Sequence, residues 1–304
     1  MHHFNSTKDK NVMDSNPILS VIIASYNSKN KISHCLKSLE LQTIQNFEII
    51  VVDSSSDNTS ECIRKNFPNV KLHQFFQRKF AGDARNIGIQ AAQSDIIAFI
   101  DADCRAKKDW AENIVKSHES QNLIIGGSIA NGNPKSYIGW GAYFCEFSHW
   151  MPGISSGYMD DIAAANLSYK KKIFGQYGDF IEGTYCSDTE FHWRVQTHGY
   201  RPLFNPSIRI AHTNIDDLKT FLAHEIFHGR SFARVRMKNQ NFPAWKRCLY
   251  IIGLPLIILR IFIKIFTNNI KAKVYFSAFI RSLPVIIGGV VCWSLGETIG
   301  YAKK

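Results

Sequence analysis

The seven cysteines of this 304-residue chain, at positions 35, 62, 104, 145, 186, 248 and 292, include no CxxC pair and sum to an odd number. That scatter argues against a disulfide framework and a CxxC-type zinc or redox site, and fits reduced thiols buried as small hydrophobes in a cytosolic setting. No apolar run of signal-peptide length occurs in the first sixteen residues, MHHFNSTKDKNVMDSN, which read as a disordered lead-in. No GxGxxG turn follows the first apolar run, and neither GxxxxGKS nor GxxxxGKT occurs anywhere. A dinucleotide-binding dehydrogenase and a P-loop NTPase are therefore disfavoured. Acid is scarce in one region only: residues 226–304 carry 13 Lys+Arg against one Asp+Glu, whereas residues 1–225 carry 23 against 24. The formal charge of +11 thus belongs to the C-terminal end, and a basic region that is also apolar points to an anionic membrane surface rather than to nucleic acid.

What is present is an alternation of short apolar runs with amphipathic stretches. ILSVIIAS, FEIIVVD, VKLHQF, DIIAFID and LIIGGSIA have the length and β-branched content of buried strands. KISHCLKSLELQ, the segment up to Asn66, GDARNIGIQAAQ and KDWAENIVKSHES read as the helices between them. The expected fold is α/β, a doubly wound, mostly parallel sheet with helices on both faces. In such a sheet the ligand sits beyond the carboxyl ends of the strands. Three of those ends carry polar clusters: Ser25 to Asn27, Asp53 to Asp57, and Asp101 to Arg105. After Gly139 the regularity weakens into the aromatic stretch WGAYFCEFSHWMPG and then AAANLSYKK. The expected organisation is a lead-in over 1–16, a catalytic unit over 17–240 and a membrane-associated apolar and basic helical region over 241–304.

The strongest local signal is DIIAFIDADCR, where an apolar strand delivers Asp101 and Asp103 one residue apart. Two carboxylates at one strand end repel unless a cation compensates, and Mg²⁺ or Mn²⁺ takes such oxygens together with substrate phosphates. A solvated turn with capping aspartates is the alternative on this pair alone.

SVIIASYN, EIIVVDSSSDNT, GDARNIGI, FIDAD and SDTEFHWRVQTHGY together fall in the order and spacing of glycosyltransferase family 2, and over residues 17–213 the chain resembles that family. The resemblance implies a GT-A fold, an inverting sugar transfer from a nucleotide-sugar and a divalent metal, Mg²⁺ or Mn²⁺. It implies donor contacts at Ala24, Tyr26, Asn27, Asp53, Arg85, Asp101 and Ala102, with Asp103 as the metal ligand and His212 as an additional one. Taken alone, a histidine such as His212 in an apolar-flanked turn reads as a structural hydrogen-bonder. Asp188 falls at the family's general base, Ser187 replacing the usual preceding glutamate, and burial is expected to raise its pKa toward the working range. Glu190 is the neighbouring candidate; one of the two is expected to face the crevice and the other to pair with solvent or Arg194. Asn166 is expected on the acceptor side. Ser54 and Ser55 replace the aspartate and glycine of the family's DDGS turn, which leaves the nucleoside open. No QxxRW string follows Asp188, which favours single over processive addition.

In the tail, Leu249 to Leu259 and Leu283 to Leu295 are uncharged for eleven and thirteen residues, short of the roughly twenty needed to span a bilayer. A crossing hairpin would place Lys271 and Lys273 outside, against the positive-inside tendency. In-plane attachment to the cytoplasmic face of the cell membrane is expected, with a hairpin or a soluble core-packing pair as alternatives. The expected partners are a nucleotide-sugar donor, a sugar or lipid-linked acceptor and a membrane surface, with no nucleic acid. The rival from another class is a catalytically silent nucleotide-sugar-binding or scaffold subunit of a membrane polysaccharide complex.

Overall fold

The computed structural model describes residues 16–302, so all of the expected lead-in but Asn16 lies outside the described residues. The chain opens as β1 (Leu19–Ser25), α1 (Ile32–Glu40), β2 (Phe47–Asp53), α2 (Thr59–Asn66), β3 (Lys71–Gln74), α3 (Ala81–Ala91) and β4 (Ile96–Ile100). It continues through β5 (Cys104–Ala106), α4 (Trp110–His118), β6 (Ile124–Asn131), α5 (Tyr137–Phe147), β7 (Gly157–Tyr158), β8 (Asn166–Lys170), α6 (Lys172–Tyr177), α7 (Ser187–Gln196) and β9 (Leu203–His212).

The strands form one sheet in the order β3-β2-β1-β4-β8-β6-β9-β5, with β7 added beside β9. From β3 to β4 every pairing is parallel. Beyond β4 the sheet is mixed: β8 runs antiparallel to both β4 and β6, β6 is parallel to β9, and β5 and β7 are antiparallel to β9. The apolar-run pattern marked the strands but not their directions, because a strand buried on both faces reads the same either way.

Alternation along β1 distributes the core. Leu19, Val21 and Ile23 pack with Leu36 of α1, Ile63 of α2 and Trp110 of α4 on one face. Ile22 packs with Ile89 of α3, Phe174 of α6 and Phe191 of α7 on the other. Helices therefore cover both faces, as the sequence pattern requires.

The tail consists of α8 (Leu218–Asn239), α9 (Ala244–Ile252), α10 (Leu254–Ala272), α11 (Phe276–Arg281) and α12 (Leu283–Ala302). Asp217 caps α8 by accepting the Thr220 amide at 2.7 Å. Helices α9 and α10 meet at a 70° bend at Gly253, followed by Pro255, which suits a helix's first turn but not its interior. The tail is not merely appended. Ile265, Ala272, Phe279, Ile286 and Val290 belong to the same buried cluster as Trp110 and Tyr143. Helix α12 lies against α8 at close range, since a Cβ on Gly229 would stand 2.1 Å from the Trp293 carbonyl oxygen and one on Gly296 2.2 Å from that of Ile226.

Among the described residues, α12 is the one single helix long and apolar enough to cross a membrane, and 44% of its apolar window is buried against the rest of the chain. The helix is thus longer than the thirteen-residue uncharged run within it. Past Leu295 the helix continues through Glu297, which accepts the Tyr301 hydroxyl at 2.8 Å and lies 3.6 Å from Arg236.

Candidate functional site

The carboxyl ends of β1 and β4, the end of β9 and the start of α7 open onto one cleft of about 770 Å³. Its far wall is made by the tail helices, so the cleft runs between the sheet and α8, α10 and α12. Ala24, Tyr26, Arg85, Asp101, Ala102, Asp103, Asp188 and His212 all line it.

Arg85 reaches the cleft from α3, a helix tied down by its own motif. A Cβ on Gly82 would meet the Ile181 carbonyl oxygen at 2.6 Å, so glycine permits the close approach. Asn86 exchanges two hydrogen bonds with the backbone of Phe180, and Asp83 accepts the Gly183 amide at 2.7 Å. The GDARN string therefore fixes the loop leading into α7 while aiming Arg85 at Asp101, whose Oδ1 it meets at 3.0 Å. Burial and the neighbouring Asp103 carboxylate push Asp101 above the usual carboxylate range, with Arg85 opposing them.

Asp103 and His212 come together because β5 pairs with β9 in a register that sets Cys104 opposite His212. His212 Nε2 lies 3.2 Å from Asp103 Oδ1, and Nδ1 is bonded to Asn214 Oδ1 at 2.9 Å, which orients the ring. Burial disfavours the imidazolium, but the Asp103 carboxylate overrides it and raises His212 to about 9. Burial likewise opposes ionisation of Asp103, and His212 and Lys31 outweigh it, so its pKa falls well below the usual range. Lys31 Nζ stands 3.3 Å from the other oxygen, Asp103 Oδ2. Asp103, His212 and Cys104 have their ligand atoms within 4.8 Å of one another. Burial keeps the Cys104 thiol protonated, so the donor set that fits a divalent cation is the Asp103 carboxylate and the His212 imidazole, whose ring proton the cation would displace.

Asp188 sits in the first turn of α7, which begins after Cys186 in a left-handed conformation, φ 62°. Its Oδ2 accepts the Ala164 amide at 3.0 Å and its Oδ1 the Thr189 amide at 3.1 Å. Burial pushes its pKa up, but Arg85, the Ala164 amide, His192 and the Thr189 amide together hold it below the ordinary carboxylate value. The expected upward shift is thus reversed: the sequence indicated burial but not these partners. Glu190 turns away from the cleft to pair with Arg194 at 3.0 Å and accept Asn239 Nδ2 at 3.1 Å.

Three other expected residues stand apart from the cleft wall. Asp53 is fully buried, each oxygen accepting a serine hydroxyl at 2.5 Å, from Ser55 and Ser60. Asn27, φ 50°, locks the β1 and β2 loops by bonding Ser55 and Ser56. Asn166, expected on the acceptor side, is fully buried on β8. It accepts the Trp110 indole N–H at 2.8 Å and donates to the Ser128 and Ile208 carbonyls. Ser54 accepts the Lys79 amide at 3.0 Å and Ser55 the Asn27 amide at 2.7 Å, so both serines are taken up by the chain's own backbone.

The sequence reading did not single out Lys31, Asp161 or the α8 histidines. Asp161 bonds His192 Nδ1 at 2.6 Å and the Thr189 hydroxyl at 2.8 Å, bracing the first turn of α7. His224, Glu225 and His228 line the cleft from α8, and the signal for them was the i, i+4 spacing in HEIFH. Glu225 is buried beside Glu146, with its Oε1 lacking a hydrogen-bond partner. Burial and the Glu146 charge raise its pKa well above the usual carboxylate value.

The parallel βαβ half and the mixed sheet beyond β4 define an α/β fold, with the aspartates at the end of β4 and the carboxylate opening α7 facing one cleft. The chain belongs to glycosyl transferase family 2, whose sequence pattern matches residues 20–178. It is 35% identical over 114 residues to the putative glycosyltransferase EpsH of Bacillus subtilis, covering 36% of this chain and 33% of that one. It is 27% identical over 197 residues to the glycosyltransferase AglE of Haloferax volcanii, covering 62% and 64%. The matched part thus spans less than two thirds of either relative. In fold it resembles the mannosyltransferase PcManGT of Pyrobaculum calidifontis, solved in complex with GDP-Man and Mn²⁺, at a TM-score of 0.62 and 16% identity over 93% of this chain and 88% of that one.

Proposed function

We propose that the chain is an inverting, metal-dependent glycosyltransferase that moves a sugar from a nucleotide-sugar onto a lipid-linked or membrane-proximal acceptor, in polysaccharide or glycolipid synthesis. The observation that carries the reading is the convergence of Arg85, Asp101, Asp103, His212 and Asp188 on one cleft from four separate segments of the chain. Tyr26, Ala24 and Ala102 line the donor end, and Arg85 presents its guanidinium to a sugar or phosphate oxygen while neutralising Asp101. Asp103 and His212 would hold a divalent cation, Mg²⁺ or Mn²⁺, which supplies charge neutralisation for the departing nucleoside diphosphate. The Pyrobaculum neighbour's own GDP-Man and Mn²⁺ support that pairing of ligand and metal. Asp188, fixed by two backbone amides, takes the proton of the acceptor hydroxyl as the new glycosidic bond forms on the face opposite the leaving group.

We propose that the chain attaches to the cytoplasmic face of the cell membrane through the tail. Leu249, Ile252, Leu256, Leu259, Ile263, Phe266 and Ile270 recur every three or four residues along α9 and α10 and are all exposed. That stripe, flanked by Lys246, Arg247, Lys271 and Lys273, has the make-up of an in-plane amphipathic anchor.

The test is nucleotide release and ligand-induced stabilisation. UDP-, GDP- and dTDP-sugars are screened for metal-dependent protection against thermal unfolding, because a ligand that binds only the native state stabilises it. One donor should protect the wild type in the presence of Mn²⁺, and Asp103→Ala should lose both the protection and nucleotide diphosphate release. Metal-independent protection retained by Asp103→Ala would overturn the metal role.

A further inference from the structure

Helix α10 presents two different faces. Its exposed apolar stripe runs through Leu256, Leu259, Ile263, Phe266 and Ile270, whereas Ile257, Arg260, Ile261, Lys264 and Ile265 line the cleft that also holds Asp188. At about 100° per residue, Arg260 and Lys264 are stacked one turn apart on the border between these faces. Among the described residues neither forms an ion pair or a side-chain hydrogen bond, although seven other Lys and Arg side chains do form ion pairs. The nearby acids are already engaged. Glu297 is held by Tyr301 and Arg236, and Asp161 by His192 and Thr189. Asp160, the third acid near the pair, is bound to Arg201, so these carboxylates act on Arg260 and Lys264 only from a distance, and two stacked cations beside a cleft leave room for a direct anionic partner.

We propose that Arg260 and Lys264 bind the phosphoryl group of a lipid-phosphate acceptor, whose hydrocarbon lies along the apolar stripe of α10 while its sugar or terminal oxygen reaches Asp188. This deepens the reading of the cleft as a transferase site and rests on it. A phosphate matches the pair chemically, because a guanidinium and an ammonium one turn apart offer several N–H donors to its oxygens. The position also matches, since the cations stand where the cleft meets the bilayer-facing side of the same helix. The nucleotide-sugar, by contrast, is assigned to Arg85 and Asp103.

The test uses the full-length chain in neutral detergent, with geranyl monophosphate, geraniol and inorganic phosphate as probes and binding read by calorimetry. Geranyl monophosphate should bind the wild type, and more tightly than either geraniol or inorganic phosphate, because charge and hydrocarbon both contribute. In Arg260→Gln/Lys264→Gln its affinity should fall at least about tenfold, which corresponds to about 1.4 kcal/mol. Protection by the nucleotide-sugar and Mn²⁺ should be unchanged in that variant, which also reports that it is folded. Flotation with phosphatidylcholine vesicles with and without phosphatidylglycerol separates the second source of phosphate. A variant that loses binding to the anionic vesicles but keeps its affinity for geranyl monophosphate would show that the cations read bilayer headgroups, and would overturn the proposal. Equal affinity of wild type and variant for geranyl monophosphate overturns it as well. Because binding is measured without turnover, failure here leaves the transferase reading to stand or fall on nucleotide release.

Discussion

The Ala164 amide donates to Asp188 Oδ2 at 3.0 Å, so the carboxylate opening α7 is held from the loop before β8 as well as by its own helix. This bond and Arg85 keep Asp188 ionised at neutral pH despite its burial, the state a proton acceptor requires. Asp188→Asn should leave the metal-dependent affinity for the nucleotide-sugar nearly unchanged and lower the transfer rate about 10²- to 10⁴-fold. Calorimetry of donor binding beside initial rates separates the two effects. If the rate survives in Asp188→Asn and is lost in Glu190→Gln, the base lies two residues later.

The exposed stripe of α10 allows membrane attachment to be tested without disturbing the core. Deleting everything after residue 240 does not do so, because Ile265, Phe279 and Ile286 would leave the main core with it, and the truncated chain should aggregate. Leu256→Glu/Leu259→Glu/Ile263→Glu changes three side chains that are 71%, 52% and 50% exposed. It should keep its melting temperature within a few degrees and lose flotation with anionic vesicles. Unchanged flotation would move the attachment surface to another helix.

Gly229 marks where α8 and α12 nearly touch. Gly229→Ala forces a Cβ to within 2.1 Å of the Trp293 carbonyl oxygen, so the helices must separate, at a cost of about 1–3 kcal/mol. Gly288→Ala on α12 is the matched control, since its Cβ would meet only Leu222 Cδ2 at 3.5 Å. Thermal melts should show a clear loss for the first and little change for the second.

His118 is buried, with Nε2 2.9 Å from the Ser168 hydroxyl, and burial lowers its pKa to about 4. The unfolded chain binds this proton at the ordinary histidine value of about 6.5, so it takes up more protons than the native state between about pH 6.5 and 4. Stability from this group is complete above that window and declines as the pH falls through it. Urea melts of the wild type and His118→Gln at pH 7 and pH 4.5 should show the wild type losing about 2 kcal/mol more than the variant. Parallel losses in both would place the acid sensitivity elsewhere.

The sequence by itself determined the elements and their order. The runs ILSVIIAS, FEIIVVD and DIIAFID became β1, β2 and β4, because β-branched apolar runs of that length stay buried only as central strands. The helices between them follow from their amphipathic spacing. The polar strand ends were legible for the same reason, and two of those clusters, at β1 and β4, do line the cleft. Which carboxylates face that cleft was decided only by the tertiary structure. Asp53 and Asn166 carry the right chemistry at plausible positions, yet Asp53 is taken up by the hydroxyls of Ser55 and Ser60 in the segment that follows it, and Asn166 by Trp110, 56 residues away in sequence. Asp188 and Glu190 are two residues apart on one helix, and the loop at Ala164 and the cation of Arg194 decide which turns inward. His212 meets Asp103 across 109 positions only because of the register between β5 and β9. A strand pairing of that kind is a long-range contact, fixed by the closing of the whole sheet and encoded in no local run of residues.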